Sequence, residues 1–158
     1  MNSLQQADSY LTFTLDAALF AVNVTRVLEI LEIKPIVKVP LSPSFMRGVI
    51  NLRGNILPVI DARNKFGMTD TPFTIHSCIV VMGIGTGKDP LLVGVLVDSV
   101  REVIEIQETD IQPAAGIGAF CNSELVLGMG NTGDNFAMIL DPDKVFAADE
   151  LTILAAAS

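Results

Sequence analysis

The sequence predicts an all-β fold with a few short helices, on three observations. Apolar residues recur in about ten short runs, several alternating with polar neighbours as half-buried strands do. Glycine, proline, asparagine and aspartate separate those runs at close intervals. Helix signals are confined to a few short segments. Many short strands joined by tight turns indicate a barrel or a sandwich, and 158 residues suit one domain or two small subdomains sharing a core.

Tyr10 to Leu15 alternates, with Leu11, Phe13 and Leu15 on one face and Thr12 and Thr14 on the other. A turn at Asp16-Ala17-Ala18 leads into a second strand, Leu19 to Asn23. Val24, Val27, Leu28 and Leu31 then fall at helical spacing, so Asn23 is read as the N-cap of a short helix, with Arg26 and Glu29 off its apolar stripe. Pro35 and Pro40 bracket a short strand, Ile36 to Val39. Two apolar runs between Met46 and Asp61 form a hairpin around a polar, glycine-bearing corner. Pro58 lacks the N–H of a ladder bond, which places its strand at an edge or at a bulge. Asp61 caps a single helical turn through Phe66, stopped by Gly67. His76 to Met82 and Leu91 to Asp98 are apolar enough to be covered on both faces, and Val100 to Ile106 is a further strand. Leu125 to Met129 and Phe136 to Leu140 flank a turn at Asn131-Thr132-Gly133-Asp134. Asp141-Pro142 places a cap and a first-turn proline at the start of a C-terminal helix. Thr69 to Thr74 and Ala115 to Ala119 are the expected mobile loops. No internal repeat stands out.

Half the residues are hydrophobic and mean hydropathy is +0.51, yet no apolar run approaches the ~20 residues of a membrane-spanning helix. The N-terminus carries no basic residue before Arg26, unlike a secretory signal, so a cytoplasmic location is expected. The apolar excess then belongs to a core and to partner surfaces. A net charge of −8 without a basic stripe excludes nucleic acid as a partner class. Cys78 and Cys121 form no metal pattern and are read as reduced, structural thiols.

Catalytic signatures fail one by one. Gly83 to Lys88 ends in Gly-Lys, but Met82 and Asp89 stand where a phosphate loop needs glycine and a hydroxyl, and a strand follows instead of a helix. His76 is the single histidine, which rules out a histidine pair. Glu102, Glu105, Glu108 and Asp110 read as a solvated strand edge, and Asp141 with Asp143 lacks the remaining calcium ligands. Neither an enzyme nor a cofactor or metal site is expected.

The stretch Gly48-Val49-Ile50-Asn51-Leu52-Arg53-Gly54-Asn55-Ile56-Leu57-Pro58-Val59-Ile60-Asp61 resembles the hallmark hairpin of CheW-type chemotaxis coupling proteins. The resemblance runs from Tyr10 to about Phe146. It includes Leu11 to Leu15, Arg26 to Ile30, Pro43 to Val49, Asp61 to Phe66, Val93 to Val100 and Ile111 to Ala114. It implies a CheW-like domain over residues 10–146, a flexible 1–9 and a C-terminal helix or tail at 147–158. The implied fold is two interleaved, five-stranded SH3-like barrels around a shared core.

The implied function is that of a non-enzymatic adaptor in a signalling array. It would link the cytoplasmic tips of transmembrane chemoreceptors to the regulatory domain of the histidine kinase CheA, with the receptor in an apolar groove between the barrels. An adaptor of another chemosensory pathway, controlling pilus motility or a second messenger, is an alternative. A small-ligand-binding barrel with Gly83 to Pro90 as its lid is a reading of a different class.

By resemblance, Val27, Glu29, Ile36, Arg53, Ile79, Val100, Val103 and Gln112 are receptor- or kinase-coupling positions. Gly48, Asn51, Gly54, Pro58 and Asp61 shape the hairpin. For the aliphatic members, ordinary core is the competing assignment. Glu29 is expected to be exposed to a partner. For Arg53 the competing assignment, compatible with a coupling role, is a corner arginine bracing loops through carbonyl or carboxylate hydrogen bonds, with Asp61 or Asp98 as candidate acceptors. Three positions depart from the family pattern: Ala62 replaces a leucine, Cys78 an aliphatic residue, and Gln112 a basic residue near the second kinase interface.

Overall fold

A computed structural model describes residues 7–85, 89–113 and 125–146. Their strands are β1 (Ala7–Leu15), β2 (Ala18–Asn23), β3 (Val27–Glu32), β4 (Met46–Leu52), β5 (Asn55–Asp61), β6 (Cys78–Ile84), β7 (Leu91–Val97), β8 (Ser99–Gln107), β9 (Ile111–Pro113), β10 (Val126–Asn131) and β11 (Phe136–Leu140). Two one-turn helices, α1 (Ala62–Lys65) and α2 (Pro142–Val145), follow β5 and β11. The protein is all-β, in two sheets.

One sheet has the order β3-β6-β7-β5-β4 and the other β8-β1-β2-β11-β10-β9. Both repeat one pairing scheme. An edge strand (β3 or β8) lies antiparallel to a hairpin (β6-β7 or β1-β2). That hairpin lies parallel to the inner strand of a second hairpin (β5-β4 or β11-β10). Each sheet then closes on itself by the same device. The chain leaving β3 bridges β4 through Val37 and Val49, with N–O distances of 2.9 and 2.8 Å, and the chain leaving β8 becomes β9 and pairs with β10. At both closures a glycine faces the crossing backbone: a Cβ on Gly48 would lie 2.3 Å from the Val37 carbonyl oxygen, and one on Gly128 2.4 Å from that of Gln112.

The result is two barrels with equivalent strand pairing, one of five strands as expected and one of six, because β9 counts as a strand where the Val37 bridge does not. Among the described residues the chain passes between them twice, from β2 to β3 and from β7 to β8. The shared core lies between them and contains Leu11, Phe13, Phe20, Val80, Met82 and Val95. The opposite faces of β6 and β7 fill the five-stranded barrel, where Ile79, Val81 and Leu96 meet Ile50, Leu57 and Val59. This two-sided covering accounts for the continuous apolar runs. A smaller cluster of Tyr10, Ala21, Ile106, Ala137 and Ile139 fills the other barrel.

Several expectations are corrected. The segment after Asn23 is a single 3-10 turn, Val24–Arg26, and then strand β3. Asn23 does cap that turn, accepting from the Thr25 amide at 2.9 Å. Val27 and Leu31 fit both a helical and a two-residue period, and pairing with β6 decides for the strand. Ile36 to Val39 is one isolated bridge and not a strand. Pro58 is neither on an edge strand nor at a bulge. β5 is flanked by β4 and β7, with the parallel pairing beginning one residue later at Val59 and the register shift falling opposite, between Met46 and Gly48. Ala7 to Ser9, expected in a flexible arm, begin β1 and pair with Glu105 to Gln107. Ala115 to Ala119, Cys121 and 147–158 lie outside the described residues.

Candidate functional site

The β4–β5 turn holds two residues, since Leu52 pairs with Asn55. Arg53 and Gly54 both have positive φ, 52° and 87°, the geometry that matches the twist of a two-residue hairpin. The Asn51 Oδ1 accepts the Gly54 amide at 2.7 Å and stabilises the corner.

Arg53 reaches across the barrel seam to Glu29. Its Nη1 and Nη2 donate to the two carboxylate oxygens at 2.7 and 2.8 Å, a planar two-bond pairing. This contact ties edge strand β3 to the hairpin at the other end of the same sheet. Below it, the Val37–Val49 bridge closes the seam through backbone bonds. The hydrogen bond from Arg53, aided by the charges of Arg53 and Lys34, holds the Glu29 carboxyl below its usual range despite some desolvation. Arg53 is raised in turn, chiefly by its hydrogen bond to Glu29. The Arg53 side chain is 69% exposed and remains accessible from solvent.

The expected acceptors of Arg53 are therefore wrong. Asp61 sits at the far end of β5, roughly 20 Å away at about 3.3 Å per strand residue. It is fully buried and accepts from the Arg63 amide at 3.1 Å, the Thr71 amide at 2.9 Å, the Thr71 hydroxyl at 2.6 Å and Arg47 Nη1 at 2.8 Å. Arg47 also lies over the Phe73 ring, 4.6 Å from its centroid. Asp98 is occupied by Arg63. Glu29, expected to face a partner alone, is already paired.

The other predicted positions do not converge on one patch. Ile79 is fully buried inside the five-stranded barrel and packs there as core. Ile36 is half-buried against the same cluster. Val27 and Val100 are half-buried against the shared core. They occupy matching places in the two barrels, Val27 opposite Met82 on β6 and Val100 opposite Phe13 on β1. Val100 also borders an open cleft with Arg63, His76, Asp98 and Arg101. Val103 is exposed on β8, and Gln112 is exposed on β9 opposite Met129. Cys78 is half-buried, and burial pushes its thiol above the usual range. The four acids from Glu102 to Asp110 are exposed, and no group of three or more metal-ligating side chains occurs among the described residues.

Sequence reasoning missed Leu28 and Ile30, which β3 presents on its outer face at 52% and 44% exposure. The alternation Val27-Leu28-Glu29-Ile30-Leu31-Glu32 carried that signal. It also missed Arg26, Arg47 and Arg63, each in a partly buried ion pair.

A family model described as a CheW-like domain matches residues 9–150. The chain belongs to the CheW-like family. It is 28% identical over 145 residues to the chemotaxis protein CheW of Klebsiella aerogenes, covering 92% of this chain and 85% of that protein. It is 32% identical over 143 residues to the Thermotoga maritima CheW, covering 90% and 89%. The crystal structure of the scaffolding protein TtCheW from Thermoanaerobacter tengcongensis superposes with a TM-score of 0.79 at 30% identity, over 92% of this chain and 96% of that one. The chain is thus a CheW-like chemotaxis adaptor, acting through protein partners in that signalling system. No helix among the described residues is long and apolar enough to cross a membrane.

Proposed function

We propose that this CheW-like chain couples transmembrane chemoreceptors to the histidine kinase CheA without catalysis of its own, in the cytoplasm beside membrane-associated receptor arrays. The functional unit is the CheW-like domain, residues 10–146. The observation that carries the reading is the Glu29–Arg53 seam, an accessible ion pair at a hairpin corner whose shape is set by Asn51 and Gly54. Leu28 and Ile30 present apolar surface on the same edge strand. An accessible arginine joined to an edge strand that also exposes aliphatic side chains suits a protein contact, in which Arg supplies orientation and apolar area supplies affinity.

The kinase regulatory domain is assigned to this seam. The receptor tip is assigned to the junction of the barrels, where Val27 and Val100 lie half-buried, because a helical hairpin offers an apolar face to such a groove. Ile36 and Ile79 support these surfaces from beneath. Val103 and Gln112 belong to a contact on the other barrel. The test is reconstitution of receptor-bearing membranes with CheA, with and without this protein, following kinase autophosphorylation. Activation that a receptor ligand suppresses is the expected result. No activation with matched partners and folded protein would overturn the assignment.

A further inference from the structure

The two passages between the barrels carry ion pairs of opposite polarity. At the first, Arg26 stands just before β3. It donates from Nη1 to Asp143 Oδ2 at 3.1 Å and from Nη2 to Asp143 Oδ1, with Nε and Nη2 also on the Gly83 carbonyl at 3.2 and 3.0 Å. Asp143 Oδ1 further accepts the Gly85 amide at 2.7 Å. At the second, Asp98 stands just before β8. It accepts from Arg63 Nε at 2.8 Å and from Arg63 Nη2, and its Oδ2 takes the Asp16 amide at 2.9 Å.

The two nodes occupy equivalent places in the pairing scheme of the two barrels. Arg63 and Asp143 each stand two residues after a helix cap, Asp61 and Asp141. Each helix residue pairs with the residue entering the other barrel's edge strand. Each node also engages the end of a hairpin in the barrel that its helix does not belong to, at Gly83 near the end of β6 and Gly85 just beyond it, or at Asp16 in the β1–β2 turn. Only the charges are exchanged: base at the passage and acid on the helix in one node, acid at the passage and base on the helix in the other.

Burial of the shared apolar core is a non-directional driving force, so the angle between the barrels depends on its packing and on the polar contacts beside it. Hydrogen-bonded ion pairs are directional, and these side chains are only 12–33% exposed. We infer that the Arg26–Asp143 and Arg63–Asp98 nodes are reciprocal latches that set how one barrel sits against the other, and with it the spacing of Val27 and Val100. This inference stands independently of which partners the protein binds.

The exchanged polarity supplies its own control. Arg26→Asp alone places two carboxylates together. Arg26→Asp with Asp143→Arg gives the first node the polarity of the second, and the new carboxylate at position 26 can accept the Gly85 amide as Asp98 accepts that of Asp16. Nitroxide labels at Ile56→Cys and Leu127→Cys, exposed positions in opposite barrels, report the separation by pulsed dipolar spectroscopy in a full-length background without Cys78 and Cys121. The parent gives one narrow distance distribution. Arg26→Asp adds a second population, and the exchanged double variant returns it to one. An unchanged distribution in folded Arg26→Asp overturns the inference, as does a double variant that stays as broad as the single. Should Arg26→Asp fail to fold, Arg26→Gln and Asp143→Asn take its place, and unchanged distributions in both overturn it equally.

Discussion

Replacing Gly48 with alanine tests the barrel closure directly. A Cβ there would meet the Val37 carbonyl oxygen at 2.3 Å and Ile36 Cγ2 at 2.7 Å, with the backbone at a φ of +145°. The obstructing carbonyl cannot step aside freely, because it accepts the Val49 amide at 2.8 Å while the Val37 amide donates back at 2.9 Å. Relief therefore means either strain from overpacking, about 1–3 kcal/mol, or loss of the bridge, at about 1 kcal/mol net for each of its two hydrogen bonds. Together with the unfavourable φ, the expected destabilisation is about 3–5 kcal/mol. Gly54→Ala is the internal control: its φ is +87° but a Cβ would meet nothing within 4 Å, so only backbone strain of about 1–2 kcal/mol applies. Urea denaturation at constant m-value measures both. If Gly48→Ala costs no more than Gly54→Ala, the seam is not closed by the Val37–Val49 contact and the reasoning fails.

Arg53→Ala is expected to leave the melting temperature almost unchanged, because both partners of its pair are solvent-accessible, while lowering kinase activation in the reconstituted system; full activation would remove Arg53 from the coupling surface. Asp61→Asn removes a buried charge from Arg47 and alters the acceptor for Thr71, and should destabilise by about 3 kcal/mol in a denaturant titration. Ile79→Ala should cost about 2–5 kcal/mol as a cavity in the barrel core, with partner affinity preserved in the folded fraction; a stable variant that binds poorly would return Ile79 to the interface. Asp143 is held low by its hydrogen bond from Arg26, which outweighs burial, and Asp98 is held low because Arg63 and the Asp16 amide outweigh a larger desolvation. Since the folded values lie below the unfolded ones, this stabilisation is complete at neutral pH and fades as pH falls from about 4 through the folded values. The urea midpoint should drop over that interval, and Arg63→Gln should blunt the drop.

Much of the fold was legible because its determinants are local. Alternation in Tyr10 to Leu15 marks a strand, although its expected open face proves to be covered, with Tyr10 and Thr12 buried. The unbroken apolar runs of β6 and β7 mark strands covered on both faces, and the Arg53-Gly54 corner marks a two-residue hairpin. Asp61 and Asp141 announce the two one-turn helices, since a cap acts on amides two or three residues away. The family could be recognised from the hairpin for the same reason. What escaped depends on pairing across the chain. β3 reads as a helix until β6 lies beside it, and Leu28 reads as buried until the strand turns it outward.

The candidate site divides in the same way. Its residues Glu29 and Arg53 could be named from sequence, but that they hold each other, 24 positions apart, is decided by the closing of the barrel. Ile79 carries no mark that separates core from interface, and only its place inside the five-stranded barrel does so. The equivalence of the two barrels is invisible in the sequence because they interleave: the first hairpin belongs to the same sheet as the last four strands. It is also masked because equivalent positions differ, arginine at 63 against aspartate at 143. Local chemistry determined the strands, turns and caps of this protein. Closure, registry and the pairing of its charges arose only when segments distant in sequence were brought within hydrogen-bonding distance.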